Sequence, residues 1–155
     1  RALNAPIVPL DYRATVREIN DIIAKYQSAV GDKFDFGASV AAANALNDAI
    51  DRFYASTEAL NGRDASDPDV QRANAMQRML ARALVTLSYS QDGRFRQDPA
   101  RGIPPIPVFA PANELANTET GSDRSNVLRT DLARAQNEVV WTLTQAQRRL
   151  EGQAI

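Results

Sequence analysis

The chain has 155 residues, 18 basic against 19 acidic side chains, a net charge of −1, and neither cysteine nor histidine. That length suits one ordinary domain, burying about two-thirds of its unfolded surface, and the balanced charge leaves no electrostatic footprint for nucleic acid or anionic lipid. The missing Cys and His exclude disulfides, thiolate chemistry, Ser-His-Asp arrangements and the commonest metal ligands.

No run of about 18 apolar residues occurs, so no membrane-spanning helix is expected. Of the 18 basic residues, Lys25 and Lys33 are lysines and 16 are arginines. Arginine suits carboxylate and phosphate recognition, but these arginines do not cluster, and a bias spread over solvated helix faces accounts for them. The chain opens on Arg1 with neither a methionine nor a signal-peptide pattern, and so reads as a piece of a longer protein.

Residues 5–10 carry two prolines and predict an extended lead-in, with Asp11 as cap of a first helix. Val16, Ile19, Ile22, Ile23, Tyr26 and Val30 form its inner face, and Gly31 ends it. Phe34 and Phe36, around the polar break 31–35, are expected to pin the connection to the core in the manner of an N-terminal staple.

A second helix is expected over residues 38–60, with the stripe Ala42, Leu46, Ala49, Ile50, Phe53, Thr57 and Leu60. Asn61 and Gly62 stop it. The acids and amides behind that stripe, Asn44, Asn47, Asp48 and Asp51, lack the Glu-x-x-His pairs of a carboxylate-bridged metal bundle and read as a solvated face. Asp67 as cap, Pro68 at the first helical position and Asp69 at the positive end of the dipole start a third helix. Val70, Ala73, Met76, Leu80, Ala83, Leu84 and Leu87 are placed inward, with Met76 and Met79 as gap-fillers.

The helical pattern then stops over residues 88–123, a stretch holding three glycines and five prolines. Connections that long are functional or disordered. Tyr89, Phe95, Ile103, Ile106, Val108, Phe109 and Leu115 make this one too apolar for disorder. It is read as an ordered excursion packed on the helices or on something outside them.

Ser122, Asp123 or Ser125 caps the last helix. Leu128, Leu132, Ala135, Val139, Leu143, Ala146 and Leu150 recur on it at steps of three and four, one apolar line along one face. Trp141 lies about 200° round from Val139, among Arg134, Asn137, Glu138, Gln145 and Arg148. It is either covered by the long connection or anchors a partner. Together these elements predict an all-α fold: a four-helix bundle with one long proline-rich connection between helices 3 and 4.

Several short motifs accompany that order. They are Val8-Pro9-Leu10-Asp11-Tyr12-Arg13 before the first helix, a second helix of matching length from Phe36, and Asp67-Pro68-Asp69-Val70 with Arg82-Ala83-Leu84 on the third. Gly93-Arg94-Phe95, Val108-Phe109-Ala110-Pro111 and the entry at Val127-Leu128 complete the set. In this order they resemble the C-terminal helical domain of the transferrin receptor and glutamate carboxypeptidase family, across essentially the whole chain.

The resemblance implies a single dimerisation domain over residues 1–155, attached to an upstream zinc-dependent exopeptidase core. Zinc ligands and the catalytic carboxylate belong to that core in the family, so this chain carries no catalytic, cofactor or metal residues. The homodimer and the chain's own peptidase domain are the implied partners, and an extracytoplasmic or secreted location is favoured. The Lys-Tyr pair by which family carboxypeptidases hold a substrate's terminal carboxylate is absent from the comparable stretch Ala112-Asn113-Glu114-Leu115-Ala116-Asn117-Thr118. Trp141, Phe95, Phe109 and Tyr89 are the candidate interface residues. Two other functions compete: a free-standing bundle whose long connection closes over a small ligand under Phe95 and Phe109, and an enzyme working through paired carboxylates.

Overall fold

The computed structural model describes residues 6–90 and 102–152, and among them every regular element is helical. Five α-helices follow one another: α1 (Arg13–Val30), α2 (Gly37–Thr57), α3 (Pro68–Tyr89), α4 (Pro111–Asn117) and α5 (Asp123–Leu150). One-turn 3₁₀ segments lie at Gly31–Lys33, Glu58–Leu60 and Pro107–Phe109. Helix α5 packs on α2, α3 and α4, and α1 packs on α2 and α4. Near the start of α2 the Gln136 side chain donates to the Asp35 carbonyl (2.9 Å), and near its end Arg52 pairs with Glu151 (2.6 Å), so α5 runs in the same direction as α2.

The inner face of α1 is the one the spacing predicts: Val16, Ile19, Ile22, Ile23, Tyr26 and Val30 are all buried. Gly31, at φ +61°, ends the helix in a conformation that disfavours a side chain. The cap differs. Tyr12 holds the N-cap position without a side-chain bond, while the Asp11 carboxylate accepts the Arg13 N–H and grips the Arg13 guanidinium. That pairing holds the Asp11 carboxyl below its ordinary range.

The connection to α2 is fastened by Gln27, whose amide donates to the Gly31 and Phe34 carbonyls and whose oxygen accepts the Phe36 N–H. Phe36 is buried and Phe34 half-buried, their rings 4.9 Å apart. The second stripe differs in its members: Phe53 on α2 and Leu60 in the 3₁₀ turn after it are half-buried, and Ser39 and Ala43 join the buried set.

Helix α3 begins as its sequence signals, with the Asp67 side chain accepting the Asp69 N–H and Pro68 in the first turn. The inward face needs a correction. Met76 and Ala83 are half-buried, whereas Gln77 is 1 % exposed. Its two amide atoms find no hydrogen-bond partner among the described residues. Two turns of helix above Val70, the position that faces inward is 77 rather than 76, because Val70, Ala73, Gln77, Leu80 and Leu84 continue the three-and-four spacing.

The prediction of a non-helical stretch over 88–123 is also corrected. Pro107 and Pro111 each stand at a helix start, where a missing N–H does no harm. Ala112 and Leu115 give α4 its buried side. Ile106 is a fully buried β-branched residue at φ +48°, a strained conformation. Its N–H donates to the Ser88 carbonyl, and the Tyr26 hydroxyl donates to the neighbouring Pro105 carbonyl. These two bonds seat the connection on the ends of α3 and α1.

Lys33 closes the far end of α4, donating from Nζ to the carbonyls of Leu115 (3.3 Å), Ala116 (2.8 Å) and Thr118 (2.8 Å). A cation at a helix C-terminus meets the negative end of the dipole and its unpaired carbonyls. A compact ammonium with three donors fits that cluster in a way a planar guanidinium does not. Replacing Lys33 by Met is expected to cost about 1–3 kcal/mol, the range for hydrogen bonds to a charged group. Lys33→Arg is expected to recover only part of it. Urea denaturation, with amide exchange across residues 111–117, checks both outcomes.

Candidate functional site

The outer side of α5 exposes two large apolar side chains, Val127 and Trp141. Ser122 caps this helix, its hydroxyl accepting the Ser125 N–H. The inner line of Leu128, Leu132, Ala135, Val139, Leu143 and Ala146 is buried as the spacing requires, with Leu150 half-buried at its end. A second line, Val127, Asp131, Arg134, Glu138 and Trp141, also advances by fours and threes and so shares one face. All five are exposed.

Trp141 is 60 % exposed and Val127 51 %. Asn126, Val127, Thr130, Asp131 and Arg134 line a shallow, open hollow on the N-terminal half of this helix. Arg134 reaches Asp131 at 3.7 Å, a long contact between two exposed side chains that contributes little.

Just before this face, Arg124 forks onto the Glu114 carboxylate at 2.6 and 2.7 Å, tying α4 to α5. The guanidinium holds the Glu114 carboxyl below its ordinary range. A carboxyl whose pKa is depressed by folding contributes stability above its unfolded value and loses it as pH falls through the folded one. The link therefore weakens only in acid.

The four candidate interface residues separate. Trp141 and Tyr89 (57 % exposed) lie on the surface, Tyr89 beside Val85 on the outer side of α3. Phe109 does not. It is completely buried, its ring 4.6 Å from that of Phe36 and 6.0 Å from that of Tyr26. The aromatic cluster, built from the α1–α2 connection and the segment before α4, draws it into the core. Phe95 lies outside the described residues.

Among the described residues no group of three or more His, Cys, Asp or Glu side chains is placed to hold a metal ion. No helix there is long and apolar enough to cross a membrane. Compared with known proteins, the chain matches no family model, no curated protein and no solved structure. The resemblance to the receptor and carboxypeptidase family therefore rests on the motifs themselves.

The different placements of the two aromatic candidates give opposite expectations on truncation. Trp141→Ala, at an exposed site, is expected to change monomer stability by no more than about 0.5 kcal/mol. Phe109→Ala, in the core, is expected to cost about 3–5 kcal/mol. Chemical denaturation followed by far-ultraviolet dichroism at low protein concentration measures both.

Proposed function

We propose that this chain is a non-catalytic assembly module: a four-helix bundle of α1, α2, α3 and α5, with α4 closing one end, that pairs with a second copy and buttresses a zinc-dependent exopeptidase-like core. The observation that carries the reading is Trp141, a large amphipathic ring left largely in water on a helix whose other face is fully packed. Aromatic rings of this kind anchor protein–protein contacts, because they bring much apolar area at low entropic cost. The motif order around the helix starts agrees with that reading, and it supplies the peptidase association. In this proposal zinc and the peptidase chemistry reside in the upstream domain, and the module acts by holding two such domains together.

The reading of a lid over a small ligand has no comparable observation behind it: of the two rings proposed over the ligand, Phe109 packs in the core against Phe36 and Tyr26. An enzyme working through paired carboxylates lacks support too. Among the described residues Asp11, Asp67 and Glu114 have their pKa lowered by hydrogen bonds to neighbours.

Sedimentation equilibrium of the 155-residue chain across micromolar concentrations tests the proposal. A reversible monomer–dimer equilibrium is expected, with a total buried area above about 1,000 Å². A monomer throughout that range would refute self-pairing.

A further inference from the structure

The outer face of α5 is complementary to itself. Val127, Thr130, Asp131 and Arg134 stand at i, i+3, i+4 and i+7, the four positions that form a hole for a knob from a facing helix. They line the hollow described above. The knob lies on the same face, as Trp141 continues the line of Val127, Asp131, Arg134 and Glu138, about 15 Å along the axis from Asp131 at 1.5 Å per residue.

Place a second α5 antiparallel to the first, about a twofold axis level with Gln136. Trp141 of each copy then faces Asp131 of the other and enters its hollow. Arg134 faces Glu138 of the second copy, and Glu138 faces its Arg134. Val127 comes opposite Gln145. Asp131, Arg134, Glu138 and Trp141 thus each meet another position of the same line, as an isologous contact requires.

The charges agree with this register. Among the described residues Arg134 has only its long contact to Asp131, which leaves the guanidinium able to reach a facing carboxylate. Asp131, at the edge of the hollow, is an acceptor for the indole N–H of the incoming ring. A parallel pairing in register would instead set Arg134 against Arg134 and Glu138 against Glu138, which repel. A shift that centred Trp141 on Trp141 would bring Arg134 against Arg148. Of these three arrangements, only the first pairs opposite charges and fills the hollow.

We infer that two copies of this chain dimerise through the outer face of α5, antiparallel, with Trp141 of each seated in the Val127–Thr130–Asp131–Arg134 hollow of the other. This inference rests on the self-pairing proposed above and adds the surface, the register and the partner residues.

Trp141 is the chain's single tryptophan, so its fluorescence reports its cover directly. Combined with sedimentation equilibrium, the test compares the native chain with Trp141→Ala, Arg134→Glu, Glu138→Arg and the double variant Arg134→Glu/Glu138→Arg. Dimerisation of the native chain is expected to shift the emission to shorter wavelength as concentration rises. Each single variant is expected to weaken dimerisation roughly tenfold or more, as for truncation or charge reversal at an anchor. The double variant restores opposite charges across the axis and is expected to recover most of the affinity.

All four are exposed substitutions, and unchanged helix content in dichroism establishes that each variant folds. A dimer whose emission does not shift with concentration, or whose affinity is indifferent to the four variants, overturns this face while leaving self-pairing intact. A monomeric native chain overturns both. Failure of the double variant to recover would rule out the antiparallel register.

Discussion

Leu128, Leu132, Val139 and Leu143 lie along one side of α5 with Ala135 and Ala146 between them, and α2, α3 and α4 all pack on that helix. Burying each of the larger side chains favours folding by about 1.5–3 kcal/mol before the entropy of ordering is counted. Because this line is on one side only, α5 has a second side with none of the described helices against it, and there Trp141 and Val127 are exposed. The same periodicity that builds the core thus leaves the face on which the functional reading rests.

Side-chain hydrogen bonds to backbone hold the connecting segments onto this frame. Gln27 fixes the turn into α2, Lys33 closes α4, and Tyr26 holds the Pro105 carbonyl ahead of Ile106. At the other end, Asn74 on α3 accepts the Val8 N–H and donates to the Pro6 carbonyl. The Tyr54 hydroxyl on α2 donates to the Leu10 carbonyl and accepts the Tyr12 N–H, with the Arg13 guanidinium 5.1 Å from the ring centre. The lead-in before α1 is thereby held to two helices, an irregular segment whose backbone groups find side-chain partners instead of a ladder.

The long helices were legible in the sequence because their buried positions repeat every three or four residues. All six inner residues of α1, and the line of α5 from Leu128 to Ala146, are buried as that spacing implies. Capping chemistry marked Asp67 and Pro68 equally well. Where no period exists the sequence was less informative: α4 is too short for a repeat, and its prolines read as breakers although they stand at starts. Phe109 joins the core through Phe36 and Tyr26, contacts far apart along the chain that no local pattern encodes. Gln77 was overlooked because a polar residue in an inward position contradicts the rule used to find such positions.

Of the candidate surface, Trp141 was visible from the sequence as a ring off the apolar line. The hollow was not, because Asp131 and Arg134 look like any solvated pair until the helix places them around Val127 and Thr130. Helix α5 carries both the core and the proposed contact, so its rigidity is the account's central claim. Amide hydrogen exchange along residues 123–150 tests it most directly. The account predicts that amides from Leu128 to Leu143 exchange together with the slowest in the chain, at the rate set by global unfolding. Exchange of α5 ahead of α1 and α2, as a separately opening unit, would contradict it.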